Sequence, residues 1–206
     1  HQRLIDASAL PGLMEKTGQF VFIAERLSDM GYRAVGIDHF AKPDDGLSRA
    51  LADRTLRRNF MGYTDQPNDR LIALGASSIS QLDEGIAQNV NRGTSYERLV
   101  RGGGLAATRG WAYTGDDRAR SAVITSLMCF FEVDLGKIVQ TYALPPDHFA
   151  ADLAAMSAFV EAGLVSVAGQ VVRFHAPYKM LVRSVASVFD RYARTGAEGN
   201  RYSRVA

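Results

Sequence analysis

The sequence predicts an α/β segment followed by a small, mostly helical domain that carries one β-hairpin. Helix-period and strand-like apolar segments alternate up to Ser80, and a five-glycine stretch with little periodicity covers residues 91–113. Beyond it helical stripes dominate, interrupted once by an alternating segment around Ala168-Gly169. The glycine-rich stretch is the expected boundary, dividing the chain into residues 1–112 and 113–206.

In chain order, Leu13, Phe20, Val21, Ala24 and Leu27 keep helical spacing across residues 11–30, with Pro11 suited to a first turn and Gly31 to a stop. Residues 32–37 then form a short apolar run with little charge, expected as a buried parallel strand with Asp38-His39 at its carboxyl end. Leu47, Ala50, Leu51 and Leu56 suggest a second helix. Residues 71–79 are expected as a strand, whose small side chains (Gly75, Ala76, Ser77, Ser78) suit either close ligand approach or tight packing.

Thr114 and Asp117 have the spacing of a capping box, and behind them Ala119, Val123, Ile124, Leu127 and Met128 mark an amphipathic helix. A further helix is expected over residues 146–161, stopping at Gly163. A hairpin follows over 164–174, and a last helix is striped by Leu181, Val185, Val188 and Tyr192. Helices plus a hairpin also suit a winged-helix DNA-binding module. However, the helix in the recognition position carries Asp147, Asp152 and Glu161 with no lysine or arginine, and phosphate contacts need cations.

Composition narrows the function classes. With 47% hydrophobic and 22% charged residues in 206, the chain can bury a core. Lys+Arg 24 against Asp+Glu 22 leaves +2 with no basic block, so no nucleic-acid partner is expected. No run has the length of a membrane span and the start has no signal-peptide layout, so a cytoplasmic protein without a membrane partner is expected. The single cysteine, Cys129, sits in an apolar run and reads as a small buried hydrophobe.

Few residues invite chemistry. Asp38 and His39 are acid-base candidates at a strand's carboxyl end. Alternate strand residues face opposite ways, so the two form a local dyad only if the strand has already ended. Otherwise Asp38 caps the next turn and His39 donates to a carbonyl. Gly102-Gly103-Gly104 lacks a phosphate-loop pattern, and no GxSxG elbow is present. His148 and His175 have no companions at metal-ligand spacing, so no metal site is expected within the chain.

Several motifs in fixed order carry a resemblance to a family: GYRAVGIDHFAKPDD (31–45), LRRNFMGYT (56–64), LGASSIS (74–80), AQN (87–89), TGDDRAR (114–120), LMC (127–129) and the tail YSRV (202–205). Together they resemble the C-terminal half of oxygen-independent coproporphyrinogen III oxidase, a radical S-adenosylmethionine (SAM) family. The resemblance implies the final part of an incomplete parallel α/β barrel, closed by a mostly helical cap. It also implies oxidative decarboxylation of two propionates of coproporphyrinogen III to vinyls, with two SAM molecules, a [4Fe-4S] cluster and an electron donor.

One cysteine cannot build that cluster, whose ligands are then expected upstream, and the chain is expected to be a fragment inactive alone. Phe60, Met61 and Ile79 match positions around the family's second SAM, although relatives commonly have glutamine at the position of Met61. A four-carboxylate substrate favours guanidinium partners, which makes Arg58, directly before NFMGYT, the expected propionate ligand. A monomer is expected. Two alternatives stay open: a paralogue that chaperones heme or another tetrapyrrole, and a non-catalytic binding module.

Overall fold

Gly31 does end the first helix, and how it does so sets the chain's first turn. In the computed structural model, which describes residues 6, 9–59, 61–67, 70–175 and 179–194, α1 (Leu13–Asp29) closes on Met30. Gly31 follows at φ 79°, and Tyr32 N–H returns to the Leu27 carbonyl at 3.0 Å. Phe20, Ala24 and Leu27 are half-buried, whereas Val21 and Phe22 stay exposed.

β1 (Arg33–Val35) and β2 (His39–Ala41) form an antiparallel hairpin, Val35 opposite His39. This corrects the expected parallel strand. Only residues 36–38 separate the two, and a parallel pair needs a crossover of a dozen residues or more. Asp38 lies in the turn and His39 opens the second strand.

α2 (Gly46–Ala52) is capped by the Asp45 carboxylate, which accepts from Leu47 N–H at 2.8 Å. Leu56 lies beyond this helix and is 2% exposed. β3 (Arg57–Asn59) and β4 (Gly62–Thr64) pair antiparallel, Arg58 opposite Tyr63.

Of the expected strand over residues 71–79, residues 72–78 are not extended into a strand; Leu71 makes an isolated bridge and Ile79 begins the next strand. Gly75 and Ser77 take φ 109° and 63°, so the segment turns, held to the next sheet by a Leu71–Gln81 bridge and by hydrogen bonds such as Asn89 N–H to the Ser78 carbonyl at 3.0 Å. The sheet itself runs β5 (Ile79–Leu82), β6 (Gly85–Asn89) and β7 (Ala107–Ala112), all antiparallel. α3 (Gly93–Arg101) connects β6 to β7, so residues 91–113, expected as a glycine-rich boundary of little periodicity, hold a helix and a strand.

α4 (Gly115–Phe130) begins in the expected capping box: Asp117 N–H donates to Thr114 Oγ1, and Thr114 N–H donates to the Asp117 carboxylate. β8 (Glu132–Asp134) and α5 (Leu135–Thr141) follow, both unforeseen. The expected helix over 146–161 is two, α6 (Ala150–Ala154) and α7 (Ser157–Glu161), with Met156 at the break, fully buried. β9 (Val165–Ala168) and β10 (Val171–Phe174) make the expected hairpin, with Gly169 at φ 60°, and β10 also pairs with β8.

The expected last helix is also divided. A 3₁₀ turn (Lys179–Leu181) leads into α8 (Val182–Ser187) and α9 (Arg191–Arg194). At that break Phe189 is fully buried and its carbonyl accepts from Arg120 Nη1 at 3.2 Å.

Two apolar clusters hold the fold. The larger gathers Val123, Leu127, Leu135, Met156, Val172, Val182 and Phe189, and the smaller Val35, Ala41, Ala50, Leu56, Tyr63 and Cys129. Helix α4 serves both, so the two halves of the chain pack on one element. Every strand pair among the described residues is antiparallel, and no barrel closes. No helix among the described residues is long and apolar enough to cross a membrane.

Candidate functional site

β3, the β5–β6 turn and α4 wall a cleft of about 1070 Å³, at the top of the range for small-molecule sites. Arg54, Arg57, Arg58 and Arg118 line it against two carboxylates, Asp83 and Glu84. Asp83 is already engaged: Arg70 donates to it through Nε at 2.9 Å and through Nη2, which holds its carboxyl below the usual range. Arg54 reaches Glu132 at 3.7 Å and lies over the Phe130 ring. The cleft therefore favours an anionic guest.

Arg58 stands out among the four. Its Nε is buried and has no hydrogen-bond partner among the described residues. Its guanidinium carbon lies 5.2 Å from the centre of the Tyr63 ring, its cross-strand neighbour. Tyr63 is buried, accepts from Ile37 N–H at 3.1 Å and donates to the Met128 carbonyl at 2.8 Å. Burial pushes its phenol above the usual value, against the opposing pull of the Ile37 bond and the Arg58 charge.

Asp38 and His39 do meet, because the strand ends before them: His39 Nδ1 and Asp38 Oδ1 are 2.8 Å apart, and Arg183 Nη2 is 3.4 Å from the other carboxylate oxygen. This replaces the expectation that Asp38 caps a turn while His39 bonds a carbonyl. Neither lines the cleft, but the His39 ring stands edge-on to Tyr63 at 5.0 Å.

Met61 is 84% exposed beside the β3–β4 turn, its N–H donating to Asn59 Oδ1, and Ile79 is half-buried at the start of β5. Neither lines the cleft. Phe60 and the YSRV tail lie outside the described residues. A thioether lacks amide donors, so Met61 offers a SAM molecule apolar contact alone. The donor set does not fit a [4Fe-4S] cluster: the one cysteine, Cys129, is fully buried, and burial pushes its thiol up to about 11. No group of three or more metal-ligating side chains occurs among the described residues.

Sequence reasoning missed Arg54, Arg57 and Arg118 as cleft residues, although three arginines within residues 54–58 were a readable signal. It also missed a polar hub at Asp116, which accepts from Arg120 Nε at 2.9 Å and Arg191 Nη1 at 2.7 Å and lies 2.7 Å from His148 Nε2. Arg120 also binds Asp152, which is 1% exposed. Asp152 is thus an internal ion-pair partner instead of a charge on a DNA-facing helix.

No family model matches the chain. Individual relatives do. The oxygen-independent coproporphyrinogen III oxidase of Bradyrhizobium diazoefficiens is 36% identical, over 96% of this chain and 44% of its own length. The Escherichia coli enzyme of the same name is 37% identical, over 99% and 45%. That of Thermostichus vulcanus is 36% identical, over 93% and 59%. The chain thus spans about half the length of the curated relatives it matches.

Among solved structures, coproporphyrinogen III oxidase (HemN) from Escherichia coli, described as a radical SAM enzyme, superposes with a TM-score of 0.85 at 36% identity. That match covers 93% of this chain and 44% of HemN. Matched over almost its whole length in both sequence and backbone, the chain is homologous to part of the oxygen-independent coproporphyrinogen III oxidases.

Proposed function

We propose that this chain is the substrate-side, C-terminal portion of an oxygen-independent coproporphyrinogen III oxidase. The observation that carries the reading is the 35–37% identity to enzymes of that name over 93–99% of the chain. The arginine-lined cleft supports it, since coproporphyrinogen III is a large ring bearing four carboxylates. Residues 1–112 form the end of the catalytic barrel and residues 113–206 the helical cap.

In the reaction, each of two propionate side chains gives a hydrogen atom to a SAM-derived radical and one electron to an external electron acceptor, and loses carbon dioxide to become a vinyl group, giving protoporphyrinogen IX. A SAM molecule, bound with a [4Fe-4S] cluster outside this chain, would supply the radical chemistry. This chain's own part is binding and orientation. Arg58 holds a propionate in the cleft, and Phe60, Met61 and Ile79 stand near a second SAM. Asp38 and His39 remain acid-base candidates. The chain alone is inactive; the assembled enzyme is a cytoplasmic monomer served by an electron donor.

The test joins this chain behind the part of the Escherichia coli enzyme that it does not match. The chimera is assayed anaerobically with SAM, reductant and coproporphyrinogen III. Vinyl product is expected. A chimera that carries its cluster by EPR and gives no product overturns the reading.

A further inference from the structure

We propose, building on the functional reading above, that Tyr63 is the positioning residue of a carboxylate-binding site in the cleft. It sets the Arg58 guanidinium so that its buried Nε–H meets a carboxylate oxygen of the ligand. A guanidinium presents Nε–H and an Nη–H as a parallel fork that matches the two oxygens of a carboxylate. In Arg58 the Nε half of that fork is buried without a partner among the described residues, and leaving such a donor unmet is costly.

The nearby acids do not claim it. Asp83 is taken by Arg70, and Glu132 faces Arg54 and Arg173. Glu84 also lines the cleft, but the arginines outnumber the carboxylates there by four to two. A ligand carboxylate is the complementary group.

Tyr63 is placed to aim the fork because it is itself held on several sides. Its hydroxyl bonds both Ile37 N–H and the Met128 carbonyl, which lie on different elements. The His39 ring packs edge-on against it. Gly36, at φ 59°, leaves room for it: a Cβ there would fall 2.0 Å from the phenol Cζ. With the ring fixed, the guanidinium over it has one preferred place. The ligand class is a polycarboxylate, and the site's chemistry stands whether or not that ligand is a tetrapyrrole.

The test follows the Arg58 Nε–H resonance in the chain labelled with ¹⁵N-arginine, assigned by its loss in Arg58→Lys. The probes are coproporphyrin III, its tetramethyl ester, and butane-1,2,3,4-tetracarboxylate. The resonance is expected to move with both acids and not with the ester. Tyr63→Phe is expected to weaken coproporphyrin III binding about tenfold, leave ester binding unchanged, and have no further effect when Arg58 is already lysine. His39→Ala, which frees one side of the ring without touching its hydroxyl, is expected to act in the same direction and serves if Tyr63→Phe does not fold.

A resonance that moves with neither acid overturns the proposal. So does a Tyr63→Phe variant that binds the acid as tightly as before, or that loses acid and ester affinity equally. Movement with the tetracarboxylate but not with coproporphyrin III upholds the site and overturns the tetrapyrrole reading.

Discussion

The Tyr63 hydroxyl donates to the Met128 carbonyl at 2.8 Å, a bond across 65 residues that ties the β3–β4 hairpin to α4. The same oxygen accepts from Ile37 N–H, so one phenol joins three segments. Removing it in Tyr63→Phe leaves a buried donor and a buried acceptor unmet. Urea unfolding is expected to show a loss of about 1–3 kcal/mol with an unchanged slope. An unaltered midpoint would mean that the bond does not hold the hairpin.

Asp116 makes stability depend on pH. Burial raises its carboxyl's pKa, but donation from Arg191, His148 and Arg120 outweighs burial and holds it below the ordinary value. A lowered folded pKa adds stability that is complete above the unfolded value, and that stability is lost as pH falls through the folded one. Asp116→Asn is therefore expected to cost roughly 2–4 kcal/mol at neutral pH. The gap between variant and parent should begin to close as pH falls below about 4 and close fully only below the lowered folded pKa. A gap that persists in acid would rule out the charge as its cause.

Cys129 is expected to be chemically silent while the chain is folded. It is fully buried, and with its thiol near 11 about a thousandth is thiolate at pH 8. Ellman's reagent should find no reactive thiol in the native chain and one per chain in denaturant. Rapid native reaction would contradict the packing of the smaller core.

The capping box at Thr114 is open to a simple substitution. Thr114→Ala removes the oxygen that accepts from Asp117 N–H and should destabilise the chain by about 1 kcal/mol. Thr114→Ser should restore most of that in thermal unfolding. Equal losses in both variants would place the effect outside the cap.

Anaerobic reconstitution of this chain with iron and sulfide should give no [4Fe-4S] EPR signal on reduction, because three thiolates are needed and one buried cysteine is present. A stoichiometric cluster would show that the ligands are not thiolates of the expected kind.

Arg58 was legible as a candidate because a four-carboxylate substrate calls for a guanidinium beside a recognisable motif. The site around it was not. Arg118 enters the cleft from α4, 60 positions away from Arg58, and Tyr63 is an unremarked member of NFMGYT until its hydroxyl is seen bridging Ile37 and Met128. Asp38 and His39 depended on where a strand ends, which a run of apolar residues does not mark to within one position.

By itself the sequence determined what depends on neighbours within a few residues: the stop at Gly31, the box from Thr114 to Asp117, the Gly169 turn, and the motifs that carry the family likeness. The tertiary structure alone decided the antiparallel pairing of β1 and β2, the helix breaks near Met156 and Phe189, the turn through residues 71–79, and the gathering of four arginines on one cleft. The physical reason is range. Caps and tight turns are satisfied by local hydrogen bonds, whereas strand partners, helix breaks and cleft walls are set by burying side chains such as Met156 and Phe189 against residues distant in the chain.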